Sequence, residues 1–273
     1  MKNGSITPRK CIFCGSRKNI TREHVVPNWL RHVIPRVSDE YLHANFTLHP
    51  ALMGPNTVAI VPQMNPAKRN IGNRQLFMVC ETCNTGWMHQ LQDELMPVLK
   101  PLIRGDWSHF DAQSASRIGS WLAMTVTVIA MSMPQTRGVT RLERSLIYSN
   151  KEPPENWRMW IGRGSGFTEI DYCNRVWTMV PRSELGKCKP EPNILITTIA
   201  LGQLILHCVS VPRPDLVPDS TIYGDDLGVF PIIPWGGGSR DWRLTPIIHN
   251  GSEEWSRLRD TFAHSFMRLM HRG

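Results

Sequence analysis

Cys11-Ile-Phe-Cys-Gly (11–15) and Val79-Cys-Glu-Thr-Cys-Asn-Thr-Gly-Trp (79–87) decide how this chain folds. Each holds a Cys-x-x-Cys pair, and such a pair makes a tight knuckle that presents two thiolates to one metal ion. One pair alone also reads as a redox dithiol. Two pairs in one N-terminal region read as a single tetrahedral zinc site, with Cys11, Cys14, Cys80 and Cys83 as ligands. Four thiolates fill the coordination sphere, so a zinc held this way is structural and has no open position for substrate. It also closes the long loop from Cys14 to Cys80. That closure brings Glu23-His24 near Asn84, the residue after the last cysteine.

Glu23, His24 and Asn84 are the residue types of a metal-assisted hydrolytic site. A carboxylate and an amide oxygen are hard donors suited to Mg²⁺ or Mn²⁺. An imidazole takes a proton from water near neutral pH. Alternation along a strand sets Glu23 and His24 on opposite faces. Both serve one site only if the backbone bends there or if Glu23 acts through water.

Three phrases carry a resemblance: Cys11-Ile-Phe-Cys-Gly-Ser, Thr21-Arg-Glu-His-Val-Val-Pro-Asn-Trp-Leu and Cys80-Glu-Thr-Cys-Asn-Thr-Gly-Trp-Met. They resemble the HNH endonucleases with a ββα-metal site, and in more detail an uncharacterised group of bacterial and phage-borne HNH-type proteins. The likeness covers residues 8–105, with a weaker likeness in the Trp121 helix and the Pro231-to-Trp235 segment. It implies a nuclease acting on DNA, with His24 as general base and Glu23 and Asn84 holding one Mg²⁺ or Mn²⁺. Two positions depart from the pattern. The family more often has Asp where Glu23 stands. The middle Asn, which pins the loop carrying the His, falls by spacing on Gln75, with Asn73 and Asn70 nearby. Either Gln75 substitutes through its amide, or Asn73 takes the role in a shifted loop, or activity is weakened. The alternative function is a non-catalytic zinc-containing protein that binds nucleic acid or regulates.

The rest of the composition agrees with a polyanionic partner. The 273 residues carry a formal net charge of +8, and phosphate neutralisation rewards Lys and Arg. Arg17, Lys18, Arg22 and Arg31 are candidate phosphate contacts. No apolar run is long enough for a bilayer span, and the Met1-Lys-Asn-Gly-Ser start lacks an apolar signal core. The expected compartment is the cytoplasm, where Cys-x-x-Cys pairs favour metal over disulfide. Cys173, Cys188 and Cys208 have no ligand-like spacing. Oligomeric state has no signature in the sequence.

The expected fold class is α+β: a zinc-stapled ββα module over 8–105, then an α+β domain over 106–273. Thr21–Val26 and Gln75–Val79 read as the two strands. Asn84–Ile103 reads as the helix, interrupted at Pro97 and Pro101. Asn28 reads as the cap of a short helix. Residues 35–72 read as an insertion, with a hairpin through Thr57–Val61. Trp29 and Trp87 read as packing around the zinc. His89 reads as at most a peripheral contact, since five helical positions from Asn84 point it elsewhere. Further on, Asp111–Met133 reads as a buried helix, 141–150 as a short one, and Ser252–Met270 as an amphipathic one. Trp157–Gly162, Gly166–Tyr172, Arg175–Val180, Ile194–Ile199 and Leu204–Val211 read as strands, and Pro231–Gly238 as a loop.

Overall fold

A computed structural model describes residues 10–25, 27–34, 51–52, 57–60, 75–108, 110–132, 138–181, 183, 187, 193–211, 227–233 and 245–259. Its fold is α+β. The N-terminal part is a hairpin of β1 (Ile20–His24) and β4 (Gln75–Cys80). The strands are antiparallel, from Ile20 opposite Cys80 to His24 opposite Gln75, with a bulge between Thr21 and Arg22. A helical segment follows directly: α1 (Glu81–Cys83), a wide π-type turn over Asn84–Met88, then α2 (His89–Ile103).

Pro97 and Pro101 do not break α2, contrary to the sequence expectation. The two freed carbonyls belong to Asp93 and Pro97, and both residues are exposed, where a lost helical hydrogen bond costs less than in a buried helix. The irregularity lies instead at Gly86, whose φ of −93° and ψ of −115° are not helical. Pro27, not Asn28, precedes the short 3-10 helix Asn28–His32, and no side chain caps it.

The larger part of the chain is one eight-stranded sheet. Its order is β10 (Ile247–His249), β5 (Trp157–Ser165), β8 (Leu204–Ser210), β7 (Ile194–Leu201), β6 (Ile170–Pro181), β3 (Thr57–Ile60) and β2 (Ala51–Leu52). The pairings are antiparallel except β10 on β5. β9 (Val229–Ile233) lies antiparallel along the earlier part of β5. Three strand expectations change. The segments at 166–172 and 175–180 join into the single strand β6. The first residues of the expected Pro231 loop belong to β9. β10 had no forecast. The strand at Thr57 does form, and it extends the sheet at β6. The C-terminal helix is described only over 253–259, where the Ser252 hydroxyl caps the Trp255 N–H at 3.2 Å.

Both faces of the sheet are covered. β7 and β8 are buried along their whole length, as a central strand with two packed faces must be. One face meets α3 (Ala112–Met131), capped by Asp111. The other carries Trp160, Phe167, Val209, Trp255 and Leu258. The core on the α3 side continues without interruption into Cys11, Phe13, Leu30 and Met88 of the hairpin region. α4 (Arg141–Asn150) starts with a capping box of Thr140 and Glu143. The buried Glu143 carboxylate also accepts from Asn156, Trp157 and Ser210. No helix among the described residues is long and apolar enough to cross a membrane.

Two stability predictions arise here. Gly202 turns β7 into β8 at φ +59°, and a Cβ there would stand 2.8 Å from the Ile103 carbonyl at the end of α2. Gly202→Ala is expected to cost about 1–2 kcal/mol from the left-handed backbone alone, with the contact adding to it. A thermal melt reads this as a fall of several degrees. His207 is fully buried in β8, and burial holds its pKa down to about 3. Above the ordinary value of 6.5 both states are neutral and stability does not depend on this group. Below it the unfolded chain takes a proton that the folded chain refuses. Stability therefore falls as pH drops from 6.5 towards 3, by roughly 1.4 kcal/mol per pH unit. Urea melts at pH 7 and pH 5 test this, and His207→Gln should flatten the slope.

Candidate metal centre and hydrolytic site

Each half of the four-cysteine cluster is built locally. Cys11 N–H donates to Ser16 O at 2.7 Å, and Gly15 N–H returns to Cys11 O at 3.1 Å. Gly15 sits at φ +75°, which the closing turn of the knuckle needs and which glycine takes without strain. Ile12 N–H donates to Met78 O, and Glu81 N–H to Asn19 O. These bonds pin the first knuckle and the end of its loop to the second.

The four sulfurs lie within 4.8 Å of one another, and Cys14 Sγ stands 3.5 Å from Cys80 Sγ. Tetrahedral zinc with bonds of about 2.3 Å asks for sulfurs about 3.8 Å apart. The cluster is therefore compatible with structural zinc. Cys11, Cys80 and Cys83 are buried and Cys14 is half-buried. Burial pushes the Cys80 and Cys83 thiols up. Burial also opposes the Cys14 thiolate, but hydrogen bonds from the Ser16 backbone and the neighbouring thiols bring Cys14 below its ordinary value.

Residues far along the chain complete the surroundings. Arg144 of α4 donates from Nε to Ile12 O at 3.0 Å, inside the first Cys-x-x-Cys. Its Nη1 donates to Val139 O. Lys151, the left-handed cap of α4, lies over the rings of Trp87 (4.7 Å) and Tyr148 (4.1 Å). Burial holds its pKa below the ordinary lysine value, with the neighbouring Cys83 sulfur acting the other way. Trp87 meets Phe13 edge-on at 5.1 Å. Trp87 and Trp29 both pack against the core, as expected.

Glu23 is buried and Asn84 is half-buried. Burial raises the Glu23 pKa to about 7, against a hydrogen bond from Asn84. Asn84 Nδ2 also donates to Thr21 Oγ1 at 3.1 Å. The loop closure thus brings Glu23 and Asn84 together, with Thr21 as a third member that the sequence did not mark. His24 lies on the opposite, outer face of β1. Its Nε2 stands 2.7 Å from Gln75 Nε2. Its pKa is lowered, first by burial and then by Arg31, so it is neutral at pH 7. Gln75, the position reached by spacing, touches His24 directly. Asn73 and Asn70 lie outside the described residues. His89 points away and pairs with Asp93 at 3.3 Å along α2.

The oxygen donors of Glu23 and Asn84 suit a hard divalent cation by their chemistry. A buried carboxylate with a raised pKa would gain from one, since a nearby cation favours the charged form. No family model, curated protein or solved structure matches this chain.

Proposed function

We propose that this chain is a metal-dependent endonuclease of HNH type, hydrolysing phosphodiester bonds of DNA around a structural zinc. One observation carries the reading. A short strand that starts opposite Cys80 of the four-cysteine cluster puts Glu23 on Asn84 and, one residue on, His24 on Gln75. Glu23, His24 and Asn84 fall within two of the three phrases that resemble HNH endonucleases, and Gln75 lies outside them.

Glu23 and the Asn84 amide oxygen would hold one Mg²⁺ or Mn²⁺. Such an ion supplies positive charge against the negative charge that develops on the phosphate. Thr21 fixes the Asn84 amide through its hydroxyl. His24 takes the proton of the attacking water. For this, the Gln75 amide must turn its oxygen, in place of the nitrogen that stands 2.7 Å from His24 Nε2, towards Nε2–H, which leaves the Nδ1 lone pair as the base. In this reading residues 8–105 carry the nuclease module and residues 106–273 a second domain, with β2 and β3 of the insertion at 35–72 joining the sheet of that second domain.

A second reading, nucleic-acid binding without cleavage, has its own support. Strand alternation separates His24 from the Glu23–Asn84 pair. The two readings divide on a supercoiled-plasmid assay with zinc-loaded protein. Nicking that appears with Mg²⁺ or Mn²⁺ and disappears without them supports the nuclease. Retarded but intact plasmid under all conditions supports binding alone.

A further inference from the structure

The outer face of the β1–β4 hairpin carries more than His24. Register sets Arg22 opposite Phe77 and His24 opposite Gln75. Residues two apart on a strand share a face, so these four side chains form one contiguous patch. Arg22, Phe77 and Gln75 are exposed and His24 is partly so, while Glu23 between Arg22 and His24 is buried and Leu76 between Gln75 and Phe77 is half-buried. Phe77 is unusual. It keeps 39% of its surface exposed, although the Arg22 guanidinium lies 5.0 Å from its ring centroid. A large ring left in water on a two-stranded ribbon, paired with a cation, is a surface for a flat and negatively charged partner. Arg31 adds charge beside His24, and exposed Arg17 and Lys18 lie on the approach to β1.

We propose that the Arg22–Phe77 pair is a stacking platform for an unpaired DNA strand, seating one nucleobase on the stacked pair and its phosphate on Arg22. The inference rests on the nucleic-acid reading above and deepens it by naming the form of the substrate. Base–aromatic stacking requires an open base face, which a paired and stacked duplex does not present. Arginine serves both ends of the nucleotide, as a planar group against the ring and as a charge against the phosphate. The platform delivers the strand to His24, the next residue on the same face. The binding energy is sequence-tolerant, because every base has a π-face.

The test is binding of labelled oligothymidylate and of a blunt duplex to the zinc-loaded full chain, by fluorescence anisotropy without added Mg²⁺. Wild type, Phe77→Ala, Phe77→Tyr and Arg22→Gln are compared at several salt concentrations. Phe77→Ala is expected to weaken single-strand binding roughly ten- to a hundred-fold and to leave the duplex unchanged. Phe77→Tyr, which keeps the ring, is expected to bind as wild type. Arg22→Gln is expected to lower the salt slope by about 0.7. Wild-type affinity in Phe77→Ala overturns the platform; if the plasmid is still nicked, the nuclease reading survives that result. Equal losses on single strand and duplex overturn the preference for an unpaired strand. Tighter binding of an RNA strand of matching length overturns the assignment to DNA. A wild type that binds neither DNA form overturns both the platform and the nucleic-acid reading.

Discussion

Stripping the metal from the four-cysteine cluster, by chelation or by Cys80→Ser, is expected to unfold the β1–β4 hairpin and free the start of α1. A two-stranded hairpin has little stability of its own in water. Here its strands are joined by a long chain segment rather than by a turn, so closure depends on the cluster and on α4. Zinc binding to four thiolates is worth about 10–16 kcal/mol in small zinc-dependent folds at neutral pH. That is as large as the whole stability of an ordinary domain, about 5–15 kcal/mol. Without the ion, buried Cys80 and Cys83 stay protonated, and the cluster becomes a loosely packed set of thiols. The contacts of Arg144 with Ile12 and of Lys151 with Trp87 remain but hold only the first knuckle and the helix. Elemental analysis is expected to find one zinc per chain. Hydrogen exchange is expected to lose protection over residues 11–34 and 75–88 on chelation. β7 and β8, buried along their length, should stay protected. Unchanged exchange in the hairpin after complete zinc removal would contradict the structural role.

Replacing His24 with alanine is the second large effect. A positioned general base contributes about 10²–10⁴-fold to rate, so nicking by His24→Ala is expected to fall by that factor. The fold should not notice. His24 is partly exposed, and its only described side-chain hydrogen bond is to exposed Gln75. Zinc content and melting temperature are expected to match wild type. Gln75→Ala is expected to lose about tenfold, the scale of a group that orients another rather than acting itself. A Gln75→Ala variant as inactive as His24→Ala would show that the imidazole works only when the amide holds it.

Much of the candidate site was legible because its signals are local. Cys-x-x-Cys, Glu23-His24 and Cys83-Asn84 are adjacencies, and a zinc ligand set forces the two halves together. From that closure the proximity of Glu23 and Asn84 followed, and spacing from Cys80 points to Gln75, which touches His24. The opposed faces of Glu23 and His24 also followed, from strand period alone. What failed was long-range. Nothing near Ile12 marks Arg144 as its partner, and nothing near Thr57 says that its strand extends β6. Pro97 and Pro101 misled because the proline rule counts a lost hydrogen bond and a ring clash, while packing along the buried Leu95–Leu99–Leu102 face keeps α2 whole. β10 is three residues long and pairs in parallel, so it has neither the length nor the hairpin turn that marks a strand. Phe77 lies inside the expected strand Gln75–Val79, and only the register with β1 places it outside.

The measurement that tests the central claim most directly is nicking of supercoiled plasmid by wild type and His24→Ala side by side, in Mg²⁺ and in Mn²⁺. Both proteins should first be shown to carry one zinc and to melt alike. Divalent-dependent nicking by wild type, reduced at least about a hundred-fold in His24→Ala, is the predicted result. Equal nicking by both would contradict the assignment of His24 as the base. Retarded, uncut plasmid with both would contradict the nuclease and leave a zinc-stapled DNA-binding protein in its place.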